Sequence, residues 1–401
     1  MRKAALFAML LVALTLLAGC SAGGQEIESC LFVIAMAVDP APDGNLTVTV
    51  KALSGSQSDG AEGSSASGGQ DGGALEGNEE GSGQSADAEQ PEPGYIVLSA
   101  TAPSCIRALN LLSATTPRTL NLSQLQEIVL SRALAETEAT LPILQEIHSM
   151  YRANGAAIVV VTPDDAGDFV RRQHALLGVR LSKYLRVLFE HFSEIDTIPP
   201  KAELSSVIAA MLSRTSDAAA VYAAGNDFSG TLVLPGASDI DRLPGHLPRT
   251  SPAQNEYLGS AIFSGARMTG VLTGSETAIL CLLMGEAMTR TSVIDGALYK
   301  TNVRTKVKRA IDDDGTLSVD IALNLTLVAG ESTRTDADIA AEIERSAVNL
   351  IRKLQSMESD ALGFGDIAIR TSLDIPSWEA RNWPLLYTQS PVRVTARTRV
   401  L

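Results

Sequence analysis

The sequence predicts a multi-domain α+β protein, three domains in number, each a mixed or antiparallel sheet with flanking helices. Three observations lead there. Up to residue 197, apolar or alternating runs of strand length take turns with stripes of helical period. Between 198 and 256 prolines gather (Pro199, Pro200, Pro235, Pro244, Pro248, Pro252) around one helical and one strand pattern, which suits a small middle domain. From 257 onward, two long alternating runs joined by Asp312-Asp313-Asp314-Gly315 precede the longest helical stripe in the chain.

The first region opens with an apolar run, Leu31 to Val38. Turn chemistry follows at Asp39 to Asn45, then an alternating run from Leu46 to Leu53. That order is a hairpin. Tyr95 to Thr101 reads as a third strand, so residues 54–94 lie in a loop between paired strands. A helix follows from Pro103, a strand near Glu127 to Ser131, a helix over Glu138 to Tyr151 and a buried strand over Ala156 to Val161. Pro163 should open a helix with Asp164 and Asp165 in its first turn, where the macrodipole favours anions. Leu181, Leu185, Leu188 and Phe192 mark another helix. In the middle region a helix is expected near Glu203 to Arg214 and a strand over Ala218 to Ala223.

In the last third, Gly259 to Ser264 and Met268 to Leu272 form a hairpin. Thr273 and Glu276 have capping-box spacing, which starts a helix running to Met284. Tyr299 to Ile311 and Thr316 to Val328 are read as two long hairpin strands. Ile339, Ile343, Ala347, Leu350, Ile351 and Leu354 give a helix from Asp336 to Met357, with Gly363 as its stop. The chain closes on a strand in which Val392, Val394, Ala396 and Thr398 alternate with arginines and a threonine, one face of it basic.

The N-terminus carries a different kind of information. Arg2 and Lys3 precede an apolar segment, Ala4 to Leu17, of the length of a secretory signal and too short for a bilayer span of roughly 20 residues. It ends in Leu17-Ala18-Gly19-Cys20, which matches the lipobox pattern. Residues 1–19 are therefore expected to be a signal peptide and Cys20 the site of lipidation, with acyl chains holding the protein to a membrane. The expected domains are then 20–197, 198–256 and 257–401. Formal net charge is −14, which excludes nucleic-acid binding through the net field. Residues 54–94 hold nine of the carboxylates, no Lys or Arg, and a single large aliphatic residue, Leu75. Such a stretch cannot bury enough apolar area to order itself and is expected to be disordered. Besides Cys20, the cysteines Cys30, Cys105 and Cys281 are odd in number and read as small buried residues; a Cys30–Cys105 bridge stays open.

Most signatures of catalysis are missing from the sequence. His148, His174, His191 and His246 have no metal-site spacing, and there is neither a GxSxG elbow nor a phosphate-binding GxxxxGK[ST]. Asp312 to Gly315 lacks the twelfth-position glutamate of a calcium loop and is read as a turn. Gly363-Phe364-Gly365 with Ala368 fits GxGxxA. The dinucleotide fingerprint must follow a strand and open a helix, though, and here it follows a helix and enters an expected strand. Glu276 is a lone carboxylate whose capping role suffices. No cofactor, metal or catalytic residue is expected.

Several segments taken in order resemble the Ger(x)C, or GerAC-like, family of spore germinant-receptor C subunits. Near the start these are Glu26-Ile27-Glu28, Leu31 to Val38 and Asp39, followed by Leu109 to Ala135. Later come Ala261-Ile262-Phe263 with Met268, Gly270, Leu272 and Glu276, then Asp360 with Gly363-Phe364-Gly365, and finally Trp383 with the strand from Val392. Ser21-Ala22 stand where the family has Trp-Asp, and Leu122 to Gln124 replace its Gly-His pair. The resemblance implies a three-domain α+β lipoprotein on the outer face of the spore's inner membrane. It would act without catalysis, beside an integral-membrane A subunit and a transporter-like B subunit, in the response to nutrients. It implies structural roles for Glu276, Gly363, Phe364 and Gly365. The rival class, an extracytoplasmic solute-binding lipoprotein, needs two similar lobes around a cleft, which the long hairpin, the proline-rich middle and 4% aromatic content suit poorly.

Overall fold

The computed structural model describes residues 29–53, 94–150, 153–176, 179–194, 196–226, 241–247, 254–285, 291–294, 297–301, 306–329 and 334–400. The expected signal peptide, Cys20, nearly all of the acidic stretch and much of the proline-rich run lie outside the described residues.

The first body is built on a mixed sheet. Strands β1 (Cys30–Pro40), β2 (Leu46–Leu53) and β3 (Tyr95–Ala102) form an antiparallel meander. The short β4 (Thr119–Asn121) runs parallel beside the start of β1. Then β5 (Glu127–Ser131), β6 (Ile158–Thr162) and β7 (Ala219–Asn226) follow in parallel on the other side of β1. Antiparallel β8 (Gln254–Ser264) and β9 (Arg267–Leu272) complete it, giving the order β3-β2-β1-β5-β6-β7-β8-β9.

Both faces of this sheet are covered, which is why its central strands read as continuous apolar runs rather than alternating ones. Helices α1 (Cys105–Ser113), α2 (Arg132–Ala135), α3 (Thr140–Met150) and, further along the chain, α6 (Leu204–Leu212) share one core with Val33, Met36, Val38 and Ile128. Helices α4 (Ala166–Arg172) and α5 (Leu181–Glu194) share the opposite core with Ile34, Ala35, Ala37 and Val160. In β1 the inward pattern skips a beat after Val33 because the pairing with β2 passes from Val33 to Ala35, leaving Ile34 as an extra residue. A bulge of this kind swaps the faces of everything beyond it.

The second body is a smaller sheet. Its central strand β13 (Leu317–Ala329) pairs on one side with β12 (Lys306–Ile311) and with β11 (Ala297–Thr301), which is followed outward by β10 (Thr291–Ile294). On the other side lies β14 (Val392–Val400), parallel to β13 from Leu317 to Leu325. Helix α8 (Asp336–Ser356) lays Ala347, Leu350, Ile351 and Leu354 on the inner face, against Leu317, Val319, Ile321 and Leu323. Helix α7 (Gly274–Met284) adds Leu280 and Leu283 to the same core.

Within the run expected as one strand from Tyr299 to Ile311, β11 and β12 both pair with β13 on the same side, and residues 302–305 between them lie outside the described residues. Two sequence expectations are corrected. The segment expected as a middle domain contributes α6 and β7 to the first body, and the hairpin assigned to the last domain extends the same sheet. The physical reason is edge satisfaction: β7 alone would leave a buried sheet edge unpaired, and β8 supplies its partner. Lastly, α4 starts at Ala166 with Asp165 as its N-cap, three residues later than Pro163 suggested.

The hairpin also joins the bodies. Successive residues of β8 point to opposite faces, so Ala261 and Phe263 enter the first core while Ile262, with Leu272 of β9, enters the core of the second body.

Candidate functional site

Of the residues that the sequence singled out in the C-terminal half, Gly363, Phe364 and Gly365 lie where the two bodies meet, and Glu276 does not. Helix α8 does not stop at Gly363. It ends in a Schellman turn one residue beyond Met357: Glu358 takes a positive φ of 55°, the Ser359 N–H donates to the Leu354 carbonyl (3.1 Å) and the Glu358 N–H to that of Gln355 (3.1 Å). A glutamate there carries no sequence signature, since glycine is the residue expected in that conformation.

This stop delivers Asp360 into the junction, where it is 4% exposed. Its carboxylate accepts the N–H groups of Phe364 at Oδ1 (2.9 Å) and Gly365 at Oδ2 (2.7 Å), and the indole Nε1–H of Trp383 at Oδ2 (3.0 Å). Gly363 turns the chain with φ 69°, and Phe364 caps the one-turn helix α9 (Gly365–Ala368). The sequence expectation that this motif enters a strand is thus corrected. It opens a helical turn, followed by α10 (Ile375–Ala380) and α11 (Trp383–Gln389). It still follows a loop rather than a strand, so the dinucleotide geometry is not formed. A Cβ on Gly365 would overlap the Thr215 carbonyl oxygen and stand 2.7 Å from Trp383 Nε1. Glycine is required there by closeness, not by φ.

The other half of the junction is Asp217, just ahead of β7. Its Oδ2 accepts the Asp360 N–H (2.7 Å), its own N–H donates to the Asp360 carbonyl (3.2 Å), and its Oδ1 accepts the Gly265 N–H in the β8–β9 turn (2.7 Å). Thr215 Oγ1 donates to Asp366 Oδ1 at 2.5 Å, and Arg214 pairs with Glu379 across the same seam. Burial pushes the Asp360 carboxyl up to about 7, against the pull of its three N–H donors, and raises Asp217 in the same direction. Phe364 is fully buried beside Tyr387, and Trp383 stacks on Trp378 with ring centroids 6.0 Å apart.

Glu276 stands apart from this carboxylate pair. It closes the capping box of α7, accepting the Thr273 N–H at 2.9 Å while its own N–H donates to Thr273 Oγ1 at 3.3 Å. Its carboxylate also takes Lys353 Nζ of α8 at 2.6 and 2.7 Å, which ties α7 to α8.

A second buried polar cluster lies in the first body and has no signature in the sequence. Glu127, fully buried at the start of β5, accepts from Gln173 Nε2 and from Tyr257 Oη (3.1 Å). Burial raises its carboxyl to about 7, while the two donors and nearby Lys51 lower it. Lys51, 2% exposed, donates to the Gln173 carbonyl. A recess of about 20 Å³ beside the cluster is lined by Gln173, His174, Tyr184, Leu188, Asn255 and Tyr257. That is room for one or two waters.

Chemically, this arrangement joins chain segments. Both Asp360 oxygens accept N–H donors from within the chain itself. Among the described residues no group of three or more His, Cys, Asp or Glu could hold a metal ion, and Cys30, Cys105 and Cys281 are buried and form no disulfide with one another.

In class, then, this is a two-body α+β protein whose parts share a hairpin and a buried carboxylate latch. Residues 23–224 match the family described as spore germination protein N-terminal domain, and residues 258–401 match the one described as spore germination B3/GerAC like, C-terminal. The chain belongs to the GerAC-like spore germination proteins, the C subunits of germinant receptors. No curated protein matches it. Among solved structures it is similar to the crystal structure of the GerBC protein, with 12% sequence identity and a TM-score of 0.43, over 91% of this chain and 96% of that one. The C-terminal family match begins in β8, so the strands that complete the first sheet come from the C-terminal family domain.

Proposed function

We infer that the protein is a non-enzymatic, lipid-anchored subunit of a nutrient-germinant receptor. It would act at the extracytoplasmic face of the spore's inner membrane with integral-membrane A-type and B-type subunits. The observation that carries this reading is the match to both domains of one germination family, in order and over nearly all of residues 23–401. Its membrane placement draws on the Leu17-Ala18-Gly19-Cys20 sequence. Among the described residues no helix is long and apolar enough to cross a bilayer, so attachment is assigned to the lipid.

The test is a deletion in a strain that keeps one receptor set. Spores lacking the protein should fail to germinate with that receptor's nutrient, yet respond to calcium–dipicolinate in a species that responds to it. Normal nutrient germination would refute the reading. Cys20→Ala should move the protein to the soluble fraction after a high-salt wash, or leave an uncleaved precursor. A processed chain that stays with the membrane would refute the anchor.

A further inference from the structure

The second sheet has one face covered by α8 and α7 and one face open. On the open side the pairing register sets three strands abreast. Lys306 of β12 lies opposite Ala322 of β13, which lies opposite Arg397 of β14. Lys308 lies opposite Asp320 and then Thr395, and Asn324 lies opposite Arg399. Asp320 and Ala322 belong to the central strand and are nevertheless exposed, so no described element covers this face. Lys306, Lys308, Arg393, Arg397 and Arg399 are exposed as well. The acidic groups among them are Asp320 and Asp312, the latter paired with Arg393. The face therefore carries an excess of positive charge on a chain whose formal net charge is −14.

The alternation is strict because β14 is two-sided. Val392, Val394, Ala396 and Val400 pack inward with α8, and every outward position from 393 to 399 is Arg or Thr. Arg393 to Arg399 span about 20 Å along the strand, and β12 lies two strand spacings away, about 10 Å. Cations spread thinly on long stems over a flat sheet do not form a pocket for one ligand. They suit a plane of mobile negative charge.

We propose that the open face of the second sheet rests on an anionic lipid surface. The proposal builds on the reading of a chain held at a membrane and adds how the folded body would stand on it. Acyl chains set the distance. The basic face would set the orientation, since an anionic bilayer repels the rest of an acidic chain and attracts this side. Attraction of this kind acts within a Debye length, about 8 Å at physiological salt, so it works only in contact.

The experiment is flotation of the chain with vesicles of phosphatidylcholine alone, or with one third phosphatidylglycerol. Cys20→Ala is present throughout and the chain is produced from residue 20, so that neither lipidation nor the apolar Ala4 to Leu17 segment plays a part. The expected result is a preference for the anionic vesicles that disappears at about 0.5 M salt. Lys308→Gln, Arg397→Gln and Arg399→Gln together should lower that preference on the order of a hundredfold. Arg107→Gln, Lys183→Gln and Arg186→Gln remove equal charge from exposed positions of the first body and should leave most of it. Equal partition into both vesicle types would overturn the proposal and point to an acidic protein partner for this face. Equal loss in both triple variants would overturn it too, showing that net charge and not the face decides. Either failure leaves the anchor standing, because Cys20 is tested separately by fractionation.

Discussion

Asp360 and Phe364 lie four residues apart, and the loop between them is closed by the Phe364 N–H on the Asp360 carboxylate. That bond puts the Phe364 ring into the second core, fully buried with Leu350 and Leu354 of α8. Truncating such a ring removes its transfer free energy and leaves a cavity that surrounding rings cannot fill. Phe364→Ala should therefore cost about 3–5 kcal/mol, read as a lowered denaturant midpoint at unchanged slope. Gly365→Ala tests the other half of the motif. With a backbone carbonyl in the way, the clash cannot be relieved by a rotamer change, and the variant should be destabilised although alanine suits helices better than glycine.

At the scale of elements, the β2–β3 pair carries a prediction of its own. Leu53 is directly opposite Tyr95, and the register continues to Leu46 opposite Ala102. The two ends of the 54–94 stretch are thus already at hairpin separation. Replacing that stretch by a short Gly/Asn turn asks nothing new of the strands. Loop-closure entropy changes by only about 0.6 kcal/mol per doubling of length. The melting temperature should stay within a few degrees. A drop of ten degrees or more would mean that the acidic stretch packs on the body. The same reasoning explains why β8 and β9 are placed where they are. β7 needs a partner on its outer edge, and a hairpin that follows in the chain closes that edge with the least loop cost.

Across the whole molecule, buried carboxyls set how stability responds to pH. Asp360 at the latch and Glu127 in the first body both have folded pKa values raised to about 7 by burial. A raised folded value means the native state holds the proton more tightly than the unfolded chain. The resulting stability is fully present below the ordinary carboxylate range and is lost as pH rises through about 7. The urea midpoint should accordingly fall between pH 5 and pH 8. Asp360→Asn and Glu127→Gln should each flatten that slope. An unchanged slope in both variants would show that their carboxyls titrate as ordinary ones. Asp360 meets Asp217 through its main-chain N–H and carbonyl, so it is Asp217→Ala, which removes the carboxylate that accepts from Asp360 and from the β8–β9 turn, that should loosen the contact between bodies. Glu127→Gln should leave that contact alone.

Local pattern by itself determines a good deal of this protein. Period and turn chemistry locate β1, β2, β3, β5, the β8–β9 hairpin, α7 with its Thr273–Glu276 box and α8 from Asp336. These features depend on residues within a few positions of one another, where propensity and burial agree. The ordered segments also point to the germination family, and the basic face of the last strand is legible as an alternation of arginines. What the tertiary structure decides lies between residues far apart in the chain. Asp217 meets Asp360 across 143 positions, and Tyr257 meets Glu127 across 130. No period records such a meeting, because a buried polar residue is tolerated only through a partner that folding brings to it. Sheet membership is decided the same way. The proline-rich pattern sets β7 in a separate domain, whereas the free edge of β7 fixes the partner it requires. Even the stop of α8 falls to Glu358 instead of Gly363, since the latch that holds Asp360 outweighs the modest cost of a left-handed glutamate.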